Sequence, residues 1–376
     1  MAWRRLLLQR EHIVRWLSVL SGCLFLLLVS TGCGLKQAIV NAIDLKKFDA
    51  SATIMKEIPY SGQRIVLDNS IGIISVESLE SGFVAVRPFV SVEAVKKVRG
   101  VDLSKLNVII EQTAKEIHIR TEGAADFVRG QIKGFPPKME DHFGWVEYKL
   151  KIPQNATLMI QQAVGVVQVA RLRGSLTVSN KAGEISVSDS TFVTLALEAI
   201  AGDMNVTRTV AKDLSMSAQL GDLHLEDAAF ASAALSSQAG DVSVSRVGNR
   251  TEVAQEKAQL AISTRTGGVS ISKVHLESIH VETQAGSIKL ADVRTQEGQI
   301  STLFGSISLE LGLAESAQVV AQTQFGGIKL RGSDRRVKTQ WSGFWPGKKL
   351  TMTLSGGENQ LVLNTQIGSI RISFRK

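Results

Sequence analysis

The sequence predicts an all-β protein, a parallel β-solenoid with coils of about 19 residues, two strands per coil, and an irregular antiparallel β N-terminal cap. Two observations support this prediction. A glycine followed by an alternating apolar and polar strand recurs eleven times along the 376 residues. Aromatic residues make up only 5% of the chain, so Val, Ile, Leu and Ala must form the core. Aliphatic side chains of this kind are suited to a core made of thin, regular layers.

Each repeat is defined by its glycine. In every copy the second and fourth residues after the glycine are aliphatic and the third is polar, as in a strand with one buried face. An apolar residue also lies five positions before each glycine, which predicts a second strand. One such unit cannot bury its apolar face alone, whereas units stacked about 4.8 Å apart can. The eleven glycines are Gly72, Gly165, Gly183, Gly202, Gly221, Gly240, Gly267, Gly286, Gly305, Gly326 and Gly368.

A β-sandwich or an antiparallel barrel would also show short strands at regular spacing. The identical register of consecutive copies favours the solenoid, because antiparallel neighbours need not keep one residue type at one position. The 42 residues between Gly326 and Gly368 are expected to hold two coils with a decorated loop.

The chain divides into four predicted segments. Residues 1–33 are a lipoprotein-type signal peptide ending at a lipidated Cys33, and residues 34–63 are a tether. Residues 64–164 form the irregular β N-terminal cap region, which would protect the first coil from edge pairing. Residues 165–376 hold the β-solenoid repeats.

The signal peptide is predicted from a cationic start, an apolar run at residues 17–29 and small residues before a cysteine. As a helix the apolar run spans about 20 Å, short of the roughly 30 Å hydrocarbon core, so a lipid rather than a spanning helix would attach the protein to the membrane. Cys23 in "LSGC" matches the lipoprotein pattern better than Cys33 in "STGC", but Cys33 has the longer apolar run before it. Cys33 is therefore the predicted lipidation site, and the alternatives are Cys23 or an ordinary secretory signal with an incidental thiol. The expected location is the bacterial cell envelope, at the outer membrane if the source is Gram-negative.

Charge and motifs exclude several classes of function. The net charge of +8 is a mild surplus, and no basic run with interleaved aromatic residues predicts nucleic-acid binding. The chain has no Gly-x-Ser-x-Gly elbow, P-loop or dinucleotide fingerprint, and its histidines lack the spacing of a zinc site. No catalytic residue and no metal ligand is therefore assigned.

Four acids follow the glycine in consecutive units, at Glu184, Asp203, Asp222 and Asp241. Stacked about 4.8 Å apart, they would be turn residues that accept local backbone N–H groups, or a ladder of Ca²⁺ sites. Calcium is the only cofactor that the sequence suggests. A second candidate is aromatic: Trp341, Phe344 and Trp345 in "WSGFWPGKKL" form either a plug for the end of the solenoid or an exposed binding surface.

The repeated strands, "YKLKIP" before Gly165 and the final "SGGENQLVLNTQIGSIRIS" resemble the "putative adhesin" family of bacterial envelope proteins. The resemblance covers about residues 65–373 and implies an adhesin-like or scaffolding protein without catalytic residues. The expected function is a non-enzymatic, lipid-anchored envelope β-solenoid that binds an envelope protein or glycan. The alternatives are a parallel β-helix that binds or acts on polysaccharide, and a self-assembling envelope scaffold.

Overall fold

The computed structural model describes residues 48–79, 88–123, 143–248, 258–312, 317–332, 337–343, 347–354, 357 and 359–375. Within these residues the protein is all-β, as predicted, and 25 strands join one large, mostly parallel sheet. The helical structure in the described part is a single 3-10 turn at Leu103–Lys105.

The central strands repeat a long strand and a short strand on either side of each glycine. Long strands pair in parallel with long strands and short with short, so that Leu195 lies beside Leu214, and Met204 beside Leu223. Each strand thus meets the same position of the neighbouring unit, and the buried aliphatic side chains form one continuous core. The central strands are β8 (Arg173–Ala182), β9 (Ile185–Ser188), β10 (Thr191–Ala201), β11 (Met204–Thr207), β12 (Val210–Leu220), β13 (Leu223–Glu226), β14 (Ala229–Ala239), β15 (Val242–Val247), β16 (Gln259–Thr266), β17 (Val269–Ala285), β18 (Ile288–Phe304) and β19 (Ile307–Gly312).

The eleven repeat glycines form one row, which we call the glycine row. At Gly221 the backbone φ is +142°, and an added Cβ would lie 2.0 Å from the carbonyl oxygen of Gly202 in the neighbouring unit. Only glycine allows both this backbone conformation and this close approach. The recurring glycine is therefore a requirement of the stacking, not only of the turn within its own unit.

A row of buried polar side chains lies three residues before the glycines. Seven of these side chains donate a hydrogen bond to a glycine carbonyl of the neighbouring unit; for example, Thr302 Oγ1 lies 3.1 Å from Gly286 O, and Asn180 Nδ2 lies 2.9 Å from Gly165 O. Asn69 donates instead to Val146 O, and Thr264 Oγ1 has no hydrogen-bond partner among the described residues. The bonds offset the cost of burying polar groups and link adjacent units. The row contains Asn69, Gln162, Asn180, Ser237, Thr264, Thr283, Thr302, Thr365 and Thr323.

The N-terminal strands extend the stack beyond Gly165. β2 pairs with β7 on one edge, placing Gly72 beside Gly165, and with β5 and β6 on the other, all in parallel. β3 pairs antiparallel with β6 and with β1, and β4 pairs antiparallel with β5. These strands are β1 (Ala50–Pro59), β2 (Arg64–Ser78), β3 (Phe89–Arg99), β4 (Asn107–Gln112), β5 (Glu116–Glu122), β6 (Phe143–Ile152) and β7 (Ala156–Ala170).

One part of the predicted tether differs from expectation. Residues 50–59 form strand β1, although the sequence places them in the tether at residues 34–63. The strand is held by a partner distant in sequence, because Ala50 lies opposite Val98 and Pro59 opposite Phe89. Ile58 is buried in the core at the end of this pairing.

The C-terminal strands do not stack in chain order. β24 pairs in parallel with β18 on one edge and with β20 on the other, so the unit of Gly368 lies between those of Gly305 and Gly326. The 42 residues between Gly326 and Gly368 hold an antiparallel pair of strands, β22 and β23, rather than the two further coils expected, and β23 continues the sheet from β20. The strands are β20 (Ala317–Phe325), β21 (Ile328–Arg331), β22 (Val337–Ser342), β23 (Lys348–Leu354), β24 (Asn359–Ile367) and β25 (Ile370–Arg375).

Candidate functional site

The long strands present an outward face made mainly of polar side chains, chiefly serine and glutamine, which we call the polar face. Its two central rows lie four and two residues before the glycines, where side chains point away from the core because successive residues alternate. The negative charges of Glu198 and Glu282 balance the positive charges of Lys181 and Arg265, so these rows have no net charge. The first row is Ser179, Glu198, Ser217, Ser236, Ser263, Glu282, Ser301, Asn364 and Gln322, and the second is Lys181, Ile200, Gln219, Gln238, Arg265, Gln284, Leu303, Gln366 and Gln324.

The four predicted acids do stack in consecutive units, but three of them bind the backbone. Asp203 Oδ1 accepts the amide of Asp222 at 3.1 Å, and Asp222 Oδ1 accepts that of Asp241 at 2.8 Å. Asp241 Oδ1 in turn accepts the amide of Gly268 at 2.7 Å. In each case the amide that donates belongs to the next unit. The expectation that these acids bind backbone N–H groups of their own turn is therefore wrong, and each aspartate instead links two units.

Glu184, at the start of this row, bonds differently. Its longer side chain accepts a hydrogen bond from Asn205 Nδ2 at 3.1 Å. Across the described residues, no three His, Cys, Asp or Glu side chains come close enough together to hold a metal ion. The Ca²⁺ ladder at Glu184, Asp203, Asp222 and Asp241 stays a prediction.

A second row of charges lies at the opposite end of the short strands, where the chain turns into the next long strand. We call its members the corner charges. Each has a backbone φ between +47° and +55°, a conformation uncommon for residues other than glycine. The corner charges are Arg171, Asp189, Arg208, Asp227, Arg246, Lys273 and Asp292.

One neighbouring pair of corner charges forms an ion pair across units. Arg208 Nε donates to Asp189 Oδ1 at 2.6 Å and Nη2 donates to Oδ2 at 2.8 Å, a bidentate arrangement. The hydrogen bond and the positive charge of Arg208 lower the pKa of Asp189. Arg246 donates instead to Glu226, whose pKa is lowered first by a hydrogen bond from His224 and further by the charge of Arg246.

Sequence reasoning missed the corner charges, although a signal was present. A charged residue recurs at the intervals of the glycines, 18, 19, 19, 19, 27 and 19 residues from Arg171 to Asp292. Its sign changes from unit to unit, so no single residue type marks the position.

The predicted aromatic site is only partly described. The Trp341 side chain lies on β22 and is 53% exposed, which favours a surface position over a plug. Phe344 and Trp345 lie outside the described residues, and so does the predicted lipidation site, Cys33. Within the described segments, no helix is long and apolar enough to cross a bilayer.

The structure also shows an apolar row that the sequence did not predict. Phe304 pairs with Ile367, and Ile367 with Phe325, next to the glycine row. The three side chains are about half exposed. In chain order these residues are far apart, and only the insertion of β24 between β18 and β20 brings them together.

Comparison with solved structures finds distant similarities. A crystal structure of a "putative adhesin" from Bacteroides fragilis is 11% identical, with a TM-score of 0.36 over 86% of this chain and 97% of that one. A "putative adhesin" from Parabacteroides distasonis is 12% identical, with a TM-score of 0.41 over 68% and 96%. A "putative lipid binding protein" from the same organism is 12% identical, with a TM-score of 0.28 over 88% and 98%. Similarities of this size do not transfer a function.

Comparison with protein families identifies the chain more directly. The Toastrack DUF4097 family matches residues 100–254 and residues 252–375, which together cover most of the chain. A comparison with curated proteins finds no match. The resemblance predicted from the repeats is thereby confirmed, and the chain belongs to the Toastrack DUF4097 family.

Proposed function

We propose that this protein is a non-enzymatic, adhesin-like binding protein of the bacterial cell envelope, built as a β-solenoid with coils of about 19 residues. Strands β3 to β6 would cover its N-terminal end as a cap. The observation that supports the proposal is the polar face, which presents polar side chains at nearly all of its outward positions along nine stacked units.

The polar face is suited to an extended polar partner such as a glycan or another envelope protein. Adjacent strands lie about 4.8 Å apart, and outward residues on one strand lie about 6.6 Å apart, so hydrogen-bonding groups form a regular grid. Ser217 and Ser236 are direct neighbours in this grid, and both are exposed. Because the strands are fixed by the core, the grid is already ordered before a partner binds, which lowers the entropy cost of binding.

The proposal is tested by a matched pair of double variants. Ser217→Arg with Ser236→Arg places two bulky cations on the polar face, whereas Ser243→Arg with Ser270→Arg places them on the short strands, also at directly paired positions. The mature full-length variants are compared in pull-downs with envelope glycans and envelope proteins. We expect the first variant alone to lose its partner. Equal capture by both variants and by the unmodified protein would contradict the proposal.

Lipid anchoring at Cys33 is a further part of the proposal. Mass spectrometry of the mature N-terminus should show a diacylated cysteine at position 33, and Cys33→Ser should abolish both lipidation and membrane association. Cys23→Ser is the control, and it should leave both unchanged. Loss of lipidation in Cys23→Ser alone would assign the anchor to Cys23 instead.

The second candidate function is a scaffold in which copies of the protein associate through the end of the sheet, and the exposed edge of β22 favours it. Among the described pairings this strand has a partner on one edge only, β23, and Lys338 to Ser342 are exposed. Unpaired strand edges favour association with another chain, although exposed lysines such as Lys338 oppose it. Light scattering of the mature protein over a range of concentrations tests this candidate, which a monomer throughout would eliminate.

A further inference from the structure

The corner charges alternate in sign along the stack up to one point. Arg171, Asp189, Arg208, Asp227 and Arg246 alternate strictly from unit to unit. Because neighbouring units lie about 4.8 Å apart, each charge in such a series has opposite charges on either side. Lys273 then follows Arg246, so that two cations are neighbours, and Asp292 follows Lys273.

A groove of about 340 Å³ lies where the alternation fails. A volume of roughly 300 Å³ or more is typical of sites for small ligands. Three cationic side chains, Arg246, Lys273 and Arg294, line it together with His275, and two carboxylates, Asp227 and Asp292, contribute opposite charge. The other lining residues are buried and apolar.

The charged groups of the groove differ in how far they are engaged within the protein, and Arg294 and Asp227 both have interactions there. Arg246 donates to Glu226, and a guanidinium has further donors besides that one. Lys273 has no ion-pair partner within the described residues, and its side chain is exposed. His275 and Arg294 are directly paired across β17 and β18 and are both exposed, so their side chains point from adjacent strands toward the same side.

We propose that this groove binds a carboxylate of an acidic glycan, for which a polymer of uronic acid is the simplest example. The guanidinium groups match the planar geometry of a carboxylate, and Lys273 adds a charge beside Arg246. Asp227 and Asp292 accept hydrogen bonds from sugar hydroxyls on either side. A multiply charged phosphate suits the groove less well, because the same two carboxylates repel it.

The groove and the polar face are separate surfaces and are tested by separate variants. The polar face lies on the long strands, whereas the groove is formed at the corner after the short strands, so each proposal stands if the other fails. Substitutions at Ser217 and Ser236 should therefore leave acidic glycan binding intact.

The experiment is calorimetry of the mature full-length protein with oligogalacturonate, a short polymer of uronic acid. Neutral malto-oligosaccharide of the same length tests the need for carboxylates. The test variant is Lys273→Gln with Arg294→Gln, in which glutamine keeps a long polar side chain at both positions. The control variant is Lys289→Gln with Arg371→Gln, which removes the same charge from exposed positions on the short strands. Circular dichroism and thermal unfolding check that both variants are folded.

We expect oligogalacturonate to bind and the neutral polymer not to bind. The test variant should weaken binding by about tenfold or more, the effect of losing at least one charge-assisted hydrogen bond, and the control should bind as the unmodified protein does. Equal weakening in both variants would indicate general charge attraction and overturn the proposal, as would undiminished binding by the test variant or no binding at all. Competition by inorganic phosphate as strong as that by free galacturonate would also overturn the assignment to a glycan.

Discussion

Replacing Gly267 by alanine should break the regular stacking in the middle of the protein. The backbone φ of Gly267 is +143°, and an added Cβ would lie 2.0 Å from the carbonyl oxygen of Gly240 and 2.7 Å from its carbon. These atoms belong to the backbone of the adjacent unit, which is itself held by a hydrogen bond from the Gly240 amide to Thr266 O at 3.0 Å. Relief of the clash therefore requires the two units to separate locally.

The expected loss is large compared with ordinary substitutions. Strain from the backbone conformation is about 1–3 kcal/mol, and overpacking adds about 1–3 kcal/mol, so we expect Gly267→Ala to lower the free energy of unfolding by roughly 2–6 kcal/mol. Urea unfolding followed by far-ultraviolet circular dichroism measures this as a lower midpoint concentration.

The adjacent residue supplies the control. A Cβ at Gly268 would meet no atom closer than Asp241 Oδ1 at 3.5 Å, an ordinary contact, and its amide hydrogen bond to Asp241 would remain. Gly268→Ala should change the free energy of unfolding by no more than about 0.5 kcal/mol. Equal effects at the two positions, or a loss below about 1 kcal/mol at Gly267, would refute the steric explanation of the glycine row.

Three further predictions concern stability. Asp222→Ala should lower the free energy of unfolding by about 1 kcal/mol in urea unfolding, because the amide of Asp241 loses its acceptor, and Asp222→Asn should recover most of the loss since its side-chain oxygen still accepts. The pKa of Asp189 is lowered in the folded protein, so the stability from its pairing is present above the ordinary value of 3.8 and is lost as the pH falls through the lower folded value. Arg208→Gln should accordingly show a smaller decrease of the urea midpoint between pH 5 and the acid limit of folding, and an unchanged pH dependence would argue against the pairing. Burial raises the pKa of Tyr148 to about 12, and a hydrogen bond with Thr121 partly opposes this shift. The contribution of the neutral Tyr148 to the free energy of unfolding is therefore fully present below the ordinary pKa of 10.0 and is lost as the pH rises from there toward 12. Tyr148→Phe should remove that part of the alkaline decrease, which urea midpoints at pH 9 to 11 would reveal.

The repeat pattern predicted much of the fold because it depends on local chemistry. Alternation within each strand assigns inward and outward side chains, and the recurring glycine marks the corner, so Met204 and Val206 could be placed in the core from the sequence. The row of acids was found for the same reason, since one position after each glycine is repeated at one place in the stack. The buried polar row was harder to predict, because threonine at an inward position opposes the simple apolar pattern. Its role depends on the carbonyl of a glycine in another unit.

The sequence by itself determined the all-β class, the period, the corners and the face on which each strand residue lies, because these follow from the alternation and the backbone freedom of residues near one another. The tertiary structure alone decided which units are neighbours at the two ends. β2 pairs with β5, β6 and β7 rather than with β3, the next strand of the chain, and β24 lies between β18 and β20. Similar strand edges carry similar hydrogen-bonding groups, so a local pattern cannot select among them, and long-range pairing does. That pairing also set the partners of the aspartates and brought together the cationic groove, whose residues come from four consecutive units.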